Sequence, residues 1–162
     1  MQGFFYCNFL PKFDFQKTCF MYHFIQKFHS GWAYIALLLL VVAVVNSLIG
    51  LLAKKEFTAT SRKIALFALI SIHVQLLVGL VLYFVSPLGF NSLGQMSDKL
   101  LRLTSLEHPL TNIIAIVLIT YGWIKHKKAS TNHAKFLSIN LFYALGLLLI
   151  SAKIPWELWF TN

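Results

Sequence analysis

The chain has 162 residues, enough for one domain. Its hydrophobic fraction is 58%, its charged fraction 12% and its mean hydropathy +0.71. A soluble domain runs at about 45–50% apolar and about 25% charged, so this composition excludes a water-soluble globule and a disordered chain. The net charge of +9 comes from 14 Lys+Arg against 5 Asp+Glu. These bases gather at the ends of apolar runs, which marks topology against an anionic leaflet and speaks against nucleic-acid binding.

Residues 1–21 are rich in Phe but have no long apolar core and no small-residue cleavage site, so they do not read as a secretory signal. They read as an N-terminal extension, either an interfacial arm or a stretch upstream of an initiator at Met21. Cys7 and Cys19 both fall here, outside any CxxC motif. Residues 22–162 then form a transmembrane domain.

A bilayer core of about 30 Å takes about 20 apolar residues in a helix. Four stretches qualify: Trp32–Ala53, Ile64–Val85, His108–Ile124 and Phe136–Ile154. They are rich in Leu, Ala and Ile and lack the ten-residue alternation of a membrane barrel. The predicted fold is an all-α membrane protein, an antiparallel four-transmembrane-helix bundle. Lys54, Lys55, Arg62 and Lys63 lie between spans one and two, and Lys125, Lys127, Lys128 and Lys135 between spans three and four. The positive-inside rule makes those loops cytoplasmic and puts both termini outside a multi-pass inner membrane. Trp32, Tyr34, Tyr83, Trp123, Trp156 and Trp159 sit near span ends, as an interfacial aromatic belt would.

Polar residues within a membrane turn toward the bundle interior or a cavity. In span three, His108, Thr111, Asn112, Ala115 and Gly122 share a helical face; in span one, Ala33, Ala36, Ala43, Ser47 and Gly50 do, and the stripe projects back to His29. Span two carries His73, about 160° around the helix from Gln75. Its small-residue face runs through Ala65, Ala68, Gln75 and Gly79, so either His73 looks into a wide central cavity or Gln75 and Gly79 make a separate helix contact. Span four offers Asn140, Ala144 and Ser151, which read as packing and interhelical hydrogen bonds. Pro109 fits the first turn of a helix opening at His108; a helix opening near Asp98 would be kinked there, with a freed carbonyl.

Imidazole is a common metal ligand and a usual axial ligand of haem iron. By helical rise, His73 lies roughly 15 Å from the basic edge, His108 roughly 25 Å and His29 roughly 37 Å. His73 and His108 are the predicted metal-ligand pair. His29 is placed at a propionate or, with His108, at a second outer site. Arg102 is placed at a propionate or lipid phosphate, for which a guanidinium fork is suited. His23, His126 and His133 read as solvated. Phosphate loops, GxSxG, HExxH and Cys-rich zinc patterns are all missing from the sequence, and no carboxylate lies well inside a span to serve a hydrolase or a proton-linked transporter.

The runs FHSGWAY, HVQLLVGLVLYFVSP and LEHPLTNIIAIVLITYGWIKHKKA resemble a family of small four-helix membrane proteins of the Bacteroidetes, labelled "cytochrome b". The resemblance covers about Tyr22 to Trp156. The family's His at span one falls on His29, its His and Gln of span two on His73 and Gln75, and its Arg and Glu-His of span three on Arg102, Glu107 and His108. More remotely, the bundle is similar to one half of a haem A synthase. The resemblance implies haem b held by bundle histidines, with electron transfer to a redox partner protein or quinone. The alternative is a cofactor-free membrane accessory subunit or assembly factor.

Overall fold

A computed structural model describes the backbone of residues 15–160 and the side chains of residues 20–158. Cys7, the Cys19 side chain and the Trp159 side chain lie outside the described residues. Four helices are long and apolar enough to cross a membrane: α1 (Phe15–Leu52), α2 (Ala59–Val85), α3 (Lys99–Lys128) and α4 (Asn132–Ala152). A short α5 (Trp156–Phe160) follows. No strand occurs among the described residues. The architecture is the expected all-α helical bundle, and its outer surface, with Val41, Leu52, Leu77, Val117 and Leu148 exposed, is one a lipid bilayer covers.

Local chemistry sets the helix starts. Thr58 and Thr131 cap α2 and α4, their hydroxyls accepting from Ser61 N (3.3 Å) and Ala134 N (3.2 Å). Asp98 caps α3 by accepting from Leu101 N at 2.9 Å. All four helices begin before their predicted spans, α1 and α3 by the most. α1 runs unbroken through residues 15–31, and its 38 residues extend roughly 57 Å, far more than a bilayer core. α3 opens at Lys99, not His108.

Pro109 therefore lies inside α3, and the chain accommodates it without a break. Proline has no N–H to give the carbonyl four residues back, and its ring collides with that carbonyl. A π turn over Leu103–Glu107 just before it resolves this, with the His108 N–H bonding to Leu103 O, five residues back.

Small residues make the seams, as the striping predicts. Ala36, Leu40, Ala43 and Ser47 of α1 are buried, with Ala65, Ala68 and Ile72 of α2, Ala115 and Ile119 of α3, and Ile139 and Tyr143 of α4. α1 packs along α2 and α4, and α3 along α4; of the four neighbouring pairs, α2 and α3 pack least closely. Polar groups cross the seams. Asn140 donates to Val44 O (3.1 Å) and Ser47 Oγ (3.2 Å), Tyr143 Oη to Ala65 O (3.0 Å), and Trp32 Nε1 to Ser71 O (3.1 Å).

Two expectations are corrected by this packing. Trp123 is buried in the bundle and Trp32 is tied to α2, so neither is a free interfacial anchor. His126, read as solvated, is buried against Phe57 and Trp123, because the α1–α2 turn folds Phe57 over it.

Candidate functional site

The loose α2–α3 contact leaves a cavity of about 420 Å³ at the end of the bundle away from the basic turns. Its wall is mostly apolar, with a few convergent polar groups: His29 and Tyr22 from α1, Gln75 from α2, His108 and Asn112 from α3. That is the usual make-up of a small-molecule or cofactor pocket. Leu80, Leu110 and Ile113 line the cavity and are also exposed on the apolar surface, so it opens sideways between α2 and α3.

His29 and His108 come together here. Their ring centroids lie 6.4 Å apart with planes at 80°. Each is held by neighbours. His108 Nδ1 lies 2.7 Å from Lys153 O. A carbonyl only accepts, so Nδ1 carries the proton and donates, and in the neutral ring the Nε2 lone pair is left free. Asn112 Nδ2 donates to His108 O at 2.6 Å. Across the cavity, Gln75 Nε2 donates to His29 O at 3.0 Å and lies 3.2 Å from His29 Nδ1. Gln75 Oε1 is buried with no partner, an acceptor left open at the cavity wall. Gly79 completes the fit, since a Cβ there would stand 3.0 Å from His29 Cε1.

The predicted pair of His73 and His108 does not form. Gln75 takes the α2 face toward α1 and His29, so His73, about 160° around the helix, points elsewhere. It lies beside Thr120 Oγ1 (3.4 Å), and Thr120 is roughly 18 Å along α3 from His108. Of the two readings left open for span two, the separate Gln75–Gly79 contact is the one observed.

Arg102 does not line the cavity. Its Nε donates to Glu107 Oε1 (3.0 Å) and its Nη1 to Met96 O (3.0 Å). Lys153 Nζ meets the other carboxylate oxygen, Oε2, at 2.8 Å. The fork expected to hold a propionate or phosphate instead ties the loop before α3 to Glu107, while Glu107 ties α3 to the end of α4. Sequence reasoning missed Lys153 as the partner of both Glu107 and His108. The only signal for it was a lone cation at the end of an apolar span.

No group of three or more His, Cys, Asp or Glu gathers around one point among the described residues. Two imidazoles are what an axial haem site needs, whereas a structural metal site takes about four ligands. No family model, no curated protein and no solved structure matches this chain.

Proposed function

We propose that this chain is an integral membrane protein that holds a b-type haem in the lateral cavity, with His108 and His29 as the iron ligands, and serves electron transfer. One observation carries the reading: imidazoles from two separate helices meet at one apolar cavity, and one of them has its Nδ1–H committed to a carbonyl and its Nε2 free. A backbone carbonyl on the remote nitrogen is the usual way a ligating histidine is oriented and made more basic. The mostly apolar wall fits the macrocycle. His29 and His108, with ring centroids 6.4 Å apart, are the residues that would hold the iron. Bound haem would supply one-electron redox chemistry; Gln75, Asn112 and Lys153 position the two rings.

In this reading the basic turns face the cytoplasm, both termini lie outside an inner membrane, and the cavity sits near the outer surface. A redox partner protein or quinone exchanges the electron. The likeness of the sequence to the small "cytochrome b" family points the same way.

The test is the optical spectrum of detergent-purified protein. A red preparation with a Soret band that sharpens on dithionite reduction supports the reading. A preparation that stays colourless after haem supplementation overturns it and leaves the cofactor-free accessory subunit or assembly factor. That second reading draws on the Gln75–His29 hydrogen bonds, which join α1 and α2 without any ligand.

A further inference from the structure

The end of the bundle that carries the basic turns holds eight Lys and Arg against one carboxylate, Glu56. Both ion pairs among the described residues lie at the other end, on Glu107, so none of these eight cations is paired there. A topology signal asks only that cations gather on one side of the membrane. It does not ask that three helices bring them to one point, and that is what the fold does here.

The floor of this point is aromatic. Phe57, from the turn between α1 and α2, has its ring 5.5 Å from that of His126 in α3 and 4.9 Å from that of Phe136 in α4. His126 lies 4.4 Å from Trp123, and its Nδ1–H is committed to Trp123 O. His126 and Phe136 are buried, as is Ser61 in the first turn of α2. Each of these three anchors fixes the backbone of a cation beside it in the chain: Ser61 that of Arg62, His126 that of Lys127, and Phe136 that of Lys135. All three charges bear on the His126 ring. Three like charges around an apolar floor repel one another with little screening from below, and a bound anion relieves that repulsion.

One guanidinium fork and two ammonium groups suit the oxygens of a phosphate. Position selects the carrier. The cluster stands at the last turns of the spans, where a bilayer places its headgroups. Ile124 and Leu141, within two turns toward the membrane centre, are exposed on the apolar surface where acyl chains run. Basic pockets between membrane helices at this level hold lipid headgroups.

We propose that Arg62, Lys127 and Lys135 form a discrete site for the phosphate of an anionic phospholipid, which joins the starts of α2 and α4 to the end of α3. The site shares no residue with the histidine cavity, so it stands apart from the haem reading.

The experiment is native mass spectrometry of the full chain in detergent, titrated with dioleoyl phosphatidylglycerol or dioleoyl phosphatidylcholine, beside thermal unfolding by circular dichroism in the same mixtures. Phosphatidylglycerol is expected to be retained at one per chain and to raise the midpoint, and phosphatidylcholine to do neither. Arg62→Gln, Lys127→Gln and Lys135→Gln together weaken phosphatidylglycerol binding about a hundredfold. Lys55→Gln, Lys63→Gln and Lys125→Gln together remove as many charges from the same end and change it by less than about threefold. Five of the eight cations stay in each triple variant, and circular dichroism without lipid verifies the fold. Three results overturn the proposal. Equal retention of the two lipids removes the need for an anion. Equal loss in the two variants makes charge number, and not placement, the cause. The same rise in midpoint with inorganic phosphate alone, at matched ionic strength, replaces the lipid with a soluble ligand.

Discussion

The ring of His108 donates to the carbonyl of Lys153 at 2.7 Å, joining the histidine of α3 to the last turn of α4. Lys153 acts twice, since its ammonium also holds Glu107. The two roles are separable because the first belongs to the backbone. Lys153→Met keeps the carbonyl and loses only a half-exposed ion pair, of a kind that contributes little. We expect haem affinity to stay within about twofold of the parent protein, read by titration of the Soret band. A large loss would place the ammonium, and not the carbonyl, in control of His108.

Gly79 gives a test on the opposite wall. An added methyl there would stand 3.0 Å from His29 Cε1, so the imidazole has to give way. Gly79→Ala is expected to lower haem affinity about five- to tenfold while the bundle stays intact. The same titration, paired with circular dichroism, checks both halves of the expectation.

The seam between α3 and α4 rests on a missing side chain. A Cβ at Gly122 would stand 2.6 Å from Phe142 Cβ and 3.1 Å from Ser138 O, and a backbone oxygen cannot swing aside. Gly122→Ala is expected to destabilise the bundle by about 1–3 kcal/mol. Unfolding in mixed micelles of increasing dodecyl sulfate content measures it.

Much of this was legible in the sequence, for identifiable reasons. Membrane spans read well because a bilayer leaves a backbone no alternative to helix. The small-residue stripes of α1 and α2 read well because close packing selects them, and Asn140 was correctly read as an interhelical donor. The juxtaposition of His29 and His108 was legible only as a second option. Depth alone favoured His73, and only tertiary contact decides which side of α2 faces inward. Trp32 and Gln75 make that decision by bonding across to Ser71 and from α2 to His29. The π turn before Pro109 left just one trace, a proline that suits the first turn of a helix opening at His108 and would disturb one opening near Asp98. His126 was misread because charge in its neighbourhood hides the Phe57 and Trp123 rings that enclose it.

Orientation has its own check. The basic turns predict that residues 54–58 and 129–131 face the cytoplasm. In a background lacking Cys7 and Cys19, Ser130→Cys should resist a membrane-impermeant thiol reagent in intact cells, whereas Asn91→Cys should react fully. The reverse pattern would invert the topology.

The most direct measurement of the central claim is haem content, read as the reduced-minus-oxidised spectrum per mole of protein, in three variants purified alike. His108→Ala and His29→Ala should each lose most of the signal or change its form, while His73→Ala should retain it. Full retention by His108→Ala together with loss in His73→Ala would contradict the account, moving the iron from the lateral cavity to His73.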